Sequence, residues 1–132
     1  MEISERVKYW LDLSDEDIRV AKHLLDGKMF LYCGFMCHLA VEKALKAIIA
    51  QDCSDDEIPP KIHHLMRLAE KANILKKLTE EQKSFLGDLN PLHIEARYPE
   101  HKNYWATKLT EDYCQSLVEK TEIFSCWIKK QL

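Results

Sequence analysis

Apolar residues recur at intervals of three or four along most of the chain, which is the spacing of one face of an α-helix. The first such stretch covers about residues 3–26, and Gly27 follows at a position where helices commonly end. The second, about residues 29–50, is apolar on nearly all sides in its first half. A helix with that pattern is predicted to pack in the centre of a domain.

Loop chemistry separates these two helices from the next elements. Residues 52–61 contain Pro59-Pro60, which cannot continue a helix and disfavours a helical residue just before it. A short third helix is predicted over about residues 62–73. Thr79 and Gln82 have the spacing of a capping box, so a fourth helix is predicted to begin there.

The fourth helix is predicted to kink at Asn90-Pro91, because asparagine is a good N-cap and proline fits the first position of a restarting helix. It should end near Arg97, because Tyr98 precedes a proline and favours extended backbone. We expect a loop over residues 99–107 and a last helix over about residues 110–130. The pattern therefore predicts an all-α, up-and-down bundle of about five helices.

Composition and charge narrow the class of protein further. A length of 132 residues suits a single domain, and three glycines with four prolines leave few turns, which favours long helices. A formal net charge of −3 argues against a general nucleic-acid coat protein but leaves room for a local basic cleft. No apolar run approaches the roughly 18 residues of a membrane span, and no signal-peptide core is present, so we expect a cytoplasmic protein with no membrane partner.

The cysteines and the absence of a phosphate loop limit the candidate chemistry. Five cysteines without an export signal indicate reduced thiols. Cys33, Cys37 and His38 have the spacing of part of a metal site, but no second ligand pair has zinc-like spacing, so we expect core packing and predict no metal. No glycine-rich phosphate loop occurs, which excludes the standard nucleotide-binding architectures, and no cofactor is predicted.

Several segments, taken in order, resemble signature blocks of the HEPN domain family. They are AVEKALKAIIA (residues 40–50), PPKIHHLMRLAEKA (59–72) and LNPLHIEARYPE (89–100), and WLDLSDEDIRVAKHLL (10–25) resembles the family's opening helix. The resemblance implies a helical bundle that usually forms a homodimer and binds nucleotides or RNA. It also implies a partner, because many relatives are encoded beside a minimal nucleotidyltransferase in toxin–antitoxin-like pairs.

Some members of that family are metal-independent RNases, and the resemblance makes Arg97 and His101 the candidate catalytic pair. Histidine can take the proton of an attacking hydroxyl, and arginine can stabilise charge that develops on a phosphate. This chain departs from the RNase pattern, because only three residues separate Arg97 from His101 where those relatives have four to six. It also has His64 where relatives commonly carry aspartate.

Other polar and aromatic residues match the family's signature or lie beside it. The candidate binding or supporting residues are Glu42, Lys43, Lys46, His63, His64, His93, Tyr98 and Tyr104. His38, Glu42 and Lys46 recur every four positions, so this stripe either lines a cleft or a dimer seam or is a solvated charge ladder.

Structural roles for the same residues stay open at this point. Glu42 could pair with Arg97 inside the bundle, because a lone buried carboxylate is costly. In one interpretation, one of His63 and His64 is packed and the other lies on the surface. In the other interpretation, they contact an anion at a helix start. The tyrosines near Arg97 either stack on a base or cover the end of the bundle.

Three hypotheses follow for the function. The first is a nucleotide- or RNA-binding partner of a minimal nucleotidyltransferase, in a toxin–antitoxin-like or stress system. The second is a metal-independent RNase toxin that uses Arg97 and His101. The third is a structural dimerisation module without catalysis.

Overall fold

The computed structural model describes residues 3–54 and 57–132, with the side chain of Arg97 outside that description. Its six α-helices are α1 (Glu5–Asp26), α2 (Phe30–Gln51), α3 (Leu65–Lys71), α4 (Glu80–Leu89), α5 (Lys102–Lys108) and α6 (Glu111–Gln131). Four single turns of 3₁₀-helix link the shorter helices, at Leu75–Lys77, Asn90–Leu92, Glu95–Arg97 and Pro99–His101. No β-strand occurs in the described ranges, which confirms the predicted all-α bundle.

Side-chain caps set the starts of α1, α4 and α6. Ser4 accepts a hydrogen bond from the Val7 N–H at the start of α1, at 3.2 Å. Thr79 forms the predicted capping box with Gln82, and Thr110 caps α6. Each cap satisfies backbone N–H groups that have no partner within the helix, so these boundaries are encoded locally.

Helix α2 is the central element of the fold. It packs against α1, α3, α4 and α6, and most of its residues are buried. Cys33 and Cys37 are fully buried in this core together with Cys114 of α6, so the predicted core packing of the first two is confirmed. Within the described residues, no helix combines the length and apolar character needed to cross a lipid bilayer.

The region after α4 differs from the prediction in two ways. The sequence pattern predicts a fourth helix that continues to Arg97, but α4 ends at Leu89, and the residues from Asn90 to Arg97 contain only two 3₁₀ turns. The backbone of Ile94, with φ −130° and ψ −51°, interrupts any helical continuation. The expected loop over residues 99–107 instead contains the Pro99–His101 turn and α5, because Trp105 is buried and holds that helix on the core.

The third helix also starts later than predicted, at Leu65 rather than near residue 62. His64 is its N-cap, and its Nδ1 accepts a hydrogen bond from the Arg67 N–H at 3.4 Å. Residues 62–64 are therefore not helical. This places His63 on an irregular segment that crosses α2 instead of on a helix face.

Candidate functional site

A buried carboxylate on α2 lies at the centre of the polar residues. Glu42 is only 4% exposed. Its Oε2 accepts a hydrogen bond from Lys46 Nζ at 3.1 Å, and its Oε1 lies 3.0 Å from His63 Nδ1. Burial of a carboxylate without partners is costly, so these two contacts are what stabilise Glu42 in this position.

The lysines of α2 have separate roles. Lys46 is buried with Glu42, and its Nζ lies 5.7 Å from the centre of the Trp10 ring on α1. Lys43 contacts α1 instead, with Nζ 2.7 Å from Asp17 Oδ2. Burial raises the pKa of the Asp17 carboxyl, while the Lys43 contact opposes that rise. Lys43 therefore belongs to the α1–α2 contact, and Lys46 to the site.

Three histidines form a series of ring contacts beside Glu42. His63 and His93 are stacked, with ring centroids 4.3 Å apart and an interplanar angle of 18°. The His93 ring also contacts His38, at 4.9 Å between centroids. His38 is fully buried, and its Nδ1 lies 3.7 Å from Glu42 Oε1. Burial lowers the pKa of His38 to about 4, so this ring is uncharged at neutral pH.

Close approach between α2 and the Asn90–Leu92 turn brings His93 to this position. A Cβ atom added at Gly34 of α2 would lie 3.1 Å from Leu92 Cδ1, which is a tight contact. The glycine thus leaves room for Leu92 to pack fully buried against α2. His93 follows directly in the chain and reaches the side of α2 that carries His38 and Glu42.

Asn90 links the same turn to the start of α3. Its Oδ1 accepts a hydrogen bond from the Leu65 N–H at 2.9 Å, and its Nδ2 lies 3.5 Å from His64 Nε2. The sequence pattern predicts that Asn90 caps a restart of the fourth helix. Its side chain instead satisfies the first N–H of α3. This contact fixes the segment that carries His63.

Replacing Asn90 with alanine should lower the free energy of unfolding by about 1–3 kcal/mol, because the Leu65 N–H at a buried residue loses its acceptor. Asn90→Asp keeps the acceptor oxygen and should stay close to the wild type. Urea unfolding monitored by circular dichroism measures both values. Equal stability of the two variants would show that the hydrogen bond has no such role.

The stacked histidines border an open cleft of about 480 Å³. We call it the histidine cleft, and it is lined by His63, His64, Asn90, Pro91, His93, Ile94, Glu95 and Tyr98. Ile94 and Tyr98 in this lining are 45% and 51% exposed. Apolar and aromatic surface thus surrounds a few polar groups, and the Glu42–Lys46 pair lies beneath His63.

Tyr104 and His101 are predicted site residues that lie near this lining but outside it. Tyr104 is 61% exposed and packs edge-on against Trp105, beside a neighbouring cavity that shares Pro91 and Glu95 with the cleft. His101 ends the Pro99–His101 turn, and its backbone N–H donates to the Tyr98 carbonyl at 3.0 Å. Neither is among the described side chains that line the histidine cleft.

The Arg97 side chain lies outside the described residues. Both hypotheses that depend on it, the Arg97–His101 catalytic pair and the Glu42–Arg97 ion pair, therefore stay predictions. The structure does place the backbone of Arg97, which ends the Glu95–Arg97 turn between His93 and Tyr98 of the cleft.

Comparison with known proteins identifies the family of this bundle. A family model described as HEPN domain matches residues 7–131. The chain belongs to the HEPN domain family. Such domains commonly dimerise and bind nucleotides or RNA.

The fold of this HEPN domain has a solved counterpart. It is similar to a crystal structure described as that of TT1696 from Thermus thermophilus, with a TM-score of 0.80 and 17% sequence identity. The likeness covers 98% of this chain and 100% of that one. At this identity it shows the shared fold alone. Among curated proteins, no sequence matches the chain.

Sequence reasoning about this HEPN domain brought together Glu42, Lys46, His63, His64, His93 and Tyr98, which the structure places in or beneath one cleft. It placed His38 on the same helix face as Glu42 but did not include it among the candidate binding residues, whereas the structure puts His38 Nδ1 3.7 Å from Glu42 Oε1. It also missed Asn90 as a contact to α3, because a bond over 25 positions leaves no local signal.

Proposed function

We propose that this HEPN domain binds a nucleotide, or a short single-stranded segment of RNA, in the histidine cleft. The observation that carries the proposal is the stacked His63–His93 pair at the edge of an open cleft that also presents Tyr98. Imidazole and phenol rings stack on the face of any base. Unstacked bases of single-stranded RNA are the usual target of such platforms.

The dimensions and polar groups of the cleft suit a ligand of this size. Its volume of about 480 Å³ lies within the range of roughly 300–1,000 Å³ typical of small-molecule sites. The His64 imidazole and the Asn90 amide supply hydrogen-bonding groups at the wall. The buried Glu42 carboxylate is paired with Lys46, so its charge is balanced next to an incoming phosphate.

The family suggests the biological setting of that binding. We propose that the chain is a cytoplasmic homodimer and the partner of a minimal nucleotidyltransferase, in a toxin–antitoxin-like or stress system. The ligand of the cleft is then a nucleotide handled by that partner or an RNA that both proteins recognise. Co-purification of the two proteins, expressed together, tests the partnership separately from ligand binding.

Binding to the cleft should depend on the stacked histidines. We expect the double variant His63→Ala/His93→Ala to bind a fluorescently labelled AMP or a short labelled RNA about tenfold more weakly, or worse, because it loses the exposed His63 ring and the His93 ring stacked against it. Fluorescence polarisation in EDTA measures the dissociation constants. His23→Ala, at an exposed histidine of α1, is the matched control. Wild-type affinity in the double variant contradicts the proposal.

An RNase activity is the second candidate, supported by the position of His101 directly after the cleft. Its N–H bond to the Tyr98 carbonyl holds it in the turn that follows the cleft wall. Purified protein should then cleave unstructured RNA in EDTA, and His101→Ala or Arg97→Ala should abolish the cleavage. Cleavage that survives both substitutions contradicts this mechanism.

A further inference from the structure

We infer that Glu42, His63 and His93 form a binding site for a divalent transition-metal ion of the zinc class. One carboxylate oxygen and one ring nitrogen from each histidine lie within 4.8 Å of one another. The sequence pattern predicted no metal, because the three residues are far apart in the chain and lie on different elements. Only the folded chain brings them together.

One of the distances between these atoms already matches that of a coordination sphere, and all three atoms lie within 4.8 Å of one another. Tetrahedral zinc with bonds of about 2.0–2.1 Å separates two of its ligand atoms by about 3.3 Å. Glu42 Oε1 and His63 Nδ1 are already 3.0 Å apart. His63 exposes 52% of its side chain, so it has the freedom to rotate and bring its nitrogen and that of His93 onto one ion.

The chemistry of the three groups selects the class of metal. Imidazole nitrogens suit zinc, nickel, copper and cobalt, whereas magnesium and calcium prefer an all-oxygen set. Two histidines and one glutamate leave a fourth tetrahedral position for water or another ligand. That position would face the histidine cleft, because His63 and His93 both line it.

Lys46 orients the Glu42 carboxylate for metal binding. Lys46 Nζ donates to Oε2, which leaves Oε1 as the oxygen directed at the histidines. On metal binding the ion takes the place of the proton between Oε1 and His63 Nδ1, and that proton moves to Nε2 or is released to solvent. The Lys46 ammonium also repels a divalent cation, so we expect weaker binding than at a structural zinc site.

The site predicts a specific pattern of metal binding. The protein for this test is treated with EDTA, exchanged into metal-free buffer and carries Cys126→Ser, which removes an exposed thiol. Isothermal titration calorimetry with Zn²⁺ should then show one equivalent bound. His63→Ala and His93→Ala should each weaken binding at least about tenfold, because each removes a ligand. Circular dichroism of the metal-free variants confirms that they are folded.

The matched control is His23→Ala. His23 is exposed on α1 and is not one of the three ligands, so this variant should keep the wild-type affinity for Zn²⁺. The inference is overturned if folded His63→Ala and His93→Ala bind Zn²⁺ as the wild type does, or if the wild type shows no binding in the titration. The titration contains no nucleotide or RNA, so its result is independent of the proposed function.

Discussion

Replacing Glu42 with leucine should lower the free energy of unfolding by about 3–5 kcal/mol, because it leaves the buried Lys46 ammonium without its carboxylate. Lys46 is 6% exposed and is packed against the Trp10 ring, so water cannot readily replace the lost partner. His63 loses its contact to Oε1 at the same time. Urea unfolding at pH 7 in EDTA measures the change.

A second substitution separates the charge effect from simple loss of packing. In Glu42→Leu/Lys46→Met the unpaired ammonium is gone, so most of the lost stability should return. The exposed pair of Lys8 and Asp12 has the same spacing of four residues and a 2.7 Å contact, and Asp12→Ala there should leave the stability close to that of the wild type because solvent screens the pair. A double variant as unstable as Glu42→Leu would contradict the argument from burial.

Local sequence signals were sufficient for the long helices of this HEPN domain. Thr79 with Gln82 and Thr110 mark helix starts that the structure reproduces, because a cap involves only residues within one turn. The apolar character of α2 likewise identified the central helix. These features depend on neighbours in the chain, which a single sequence displays directly.

The segment from Asn90 to Lys108 could not be predicted in this way, because long-range contacts decide its structure. Asn90 has the chemistry of a helix cap, yet its side chain is committed to the Leu65 N–H of α3. Burial of Trp105 turns an expected loop into α5. The candidate site depends on the same contacts, since Gly34 and Leu92 set how closely His93 approaches α2.

Lowering the pH from 6.5 to 4 should reduce the free energy of unfolding by roughly 3 kcal/mol through His38 alone. Burial lowers the pKa of this ring to about 4, whereas the ordinary value of 6.5 applies once the chain unfolds. Between those values the unfolded chain binds a proton at His38 that the folded chain does not. The contribution is therefore fully present above pH 6.5 and is lost as the pH falls towards 4.

The groups that face His38 act in opposite directions on its pKa. Burial has the largest effect and lowers the pKa, Glu42 and the His63 backbone raise it, and the charges of His93 and His63 lower it. The loss should therefore disappear in His38→Leu, which has no proton to bind and fills the fully buried position with an apolar side chain. Urea unfolding across the same pH range, in EDTA, measures the dependence for each protein.

His23 is exposed on α1, so His23→Gln is the control substitution and should keep the pH dependence of the wild type. If His38→Leu loses stability with acid as steeply as the wild type, other groups cause the acid sensitivity. At neutral pH burial keeps His38 uncharged. The positive partner of the Glu42 carboxylate is then the Lys46 ammonium, which donates a hydrogen bond to it. The Glu42–Lys46 pair and the His38 ring should therefore contribute separately to stability.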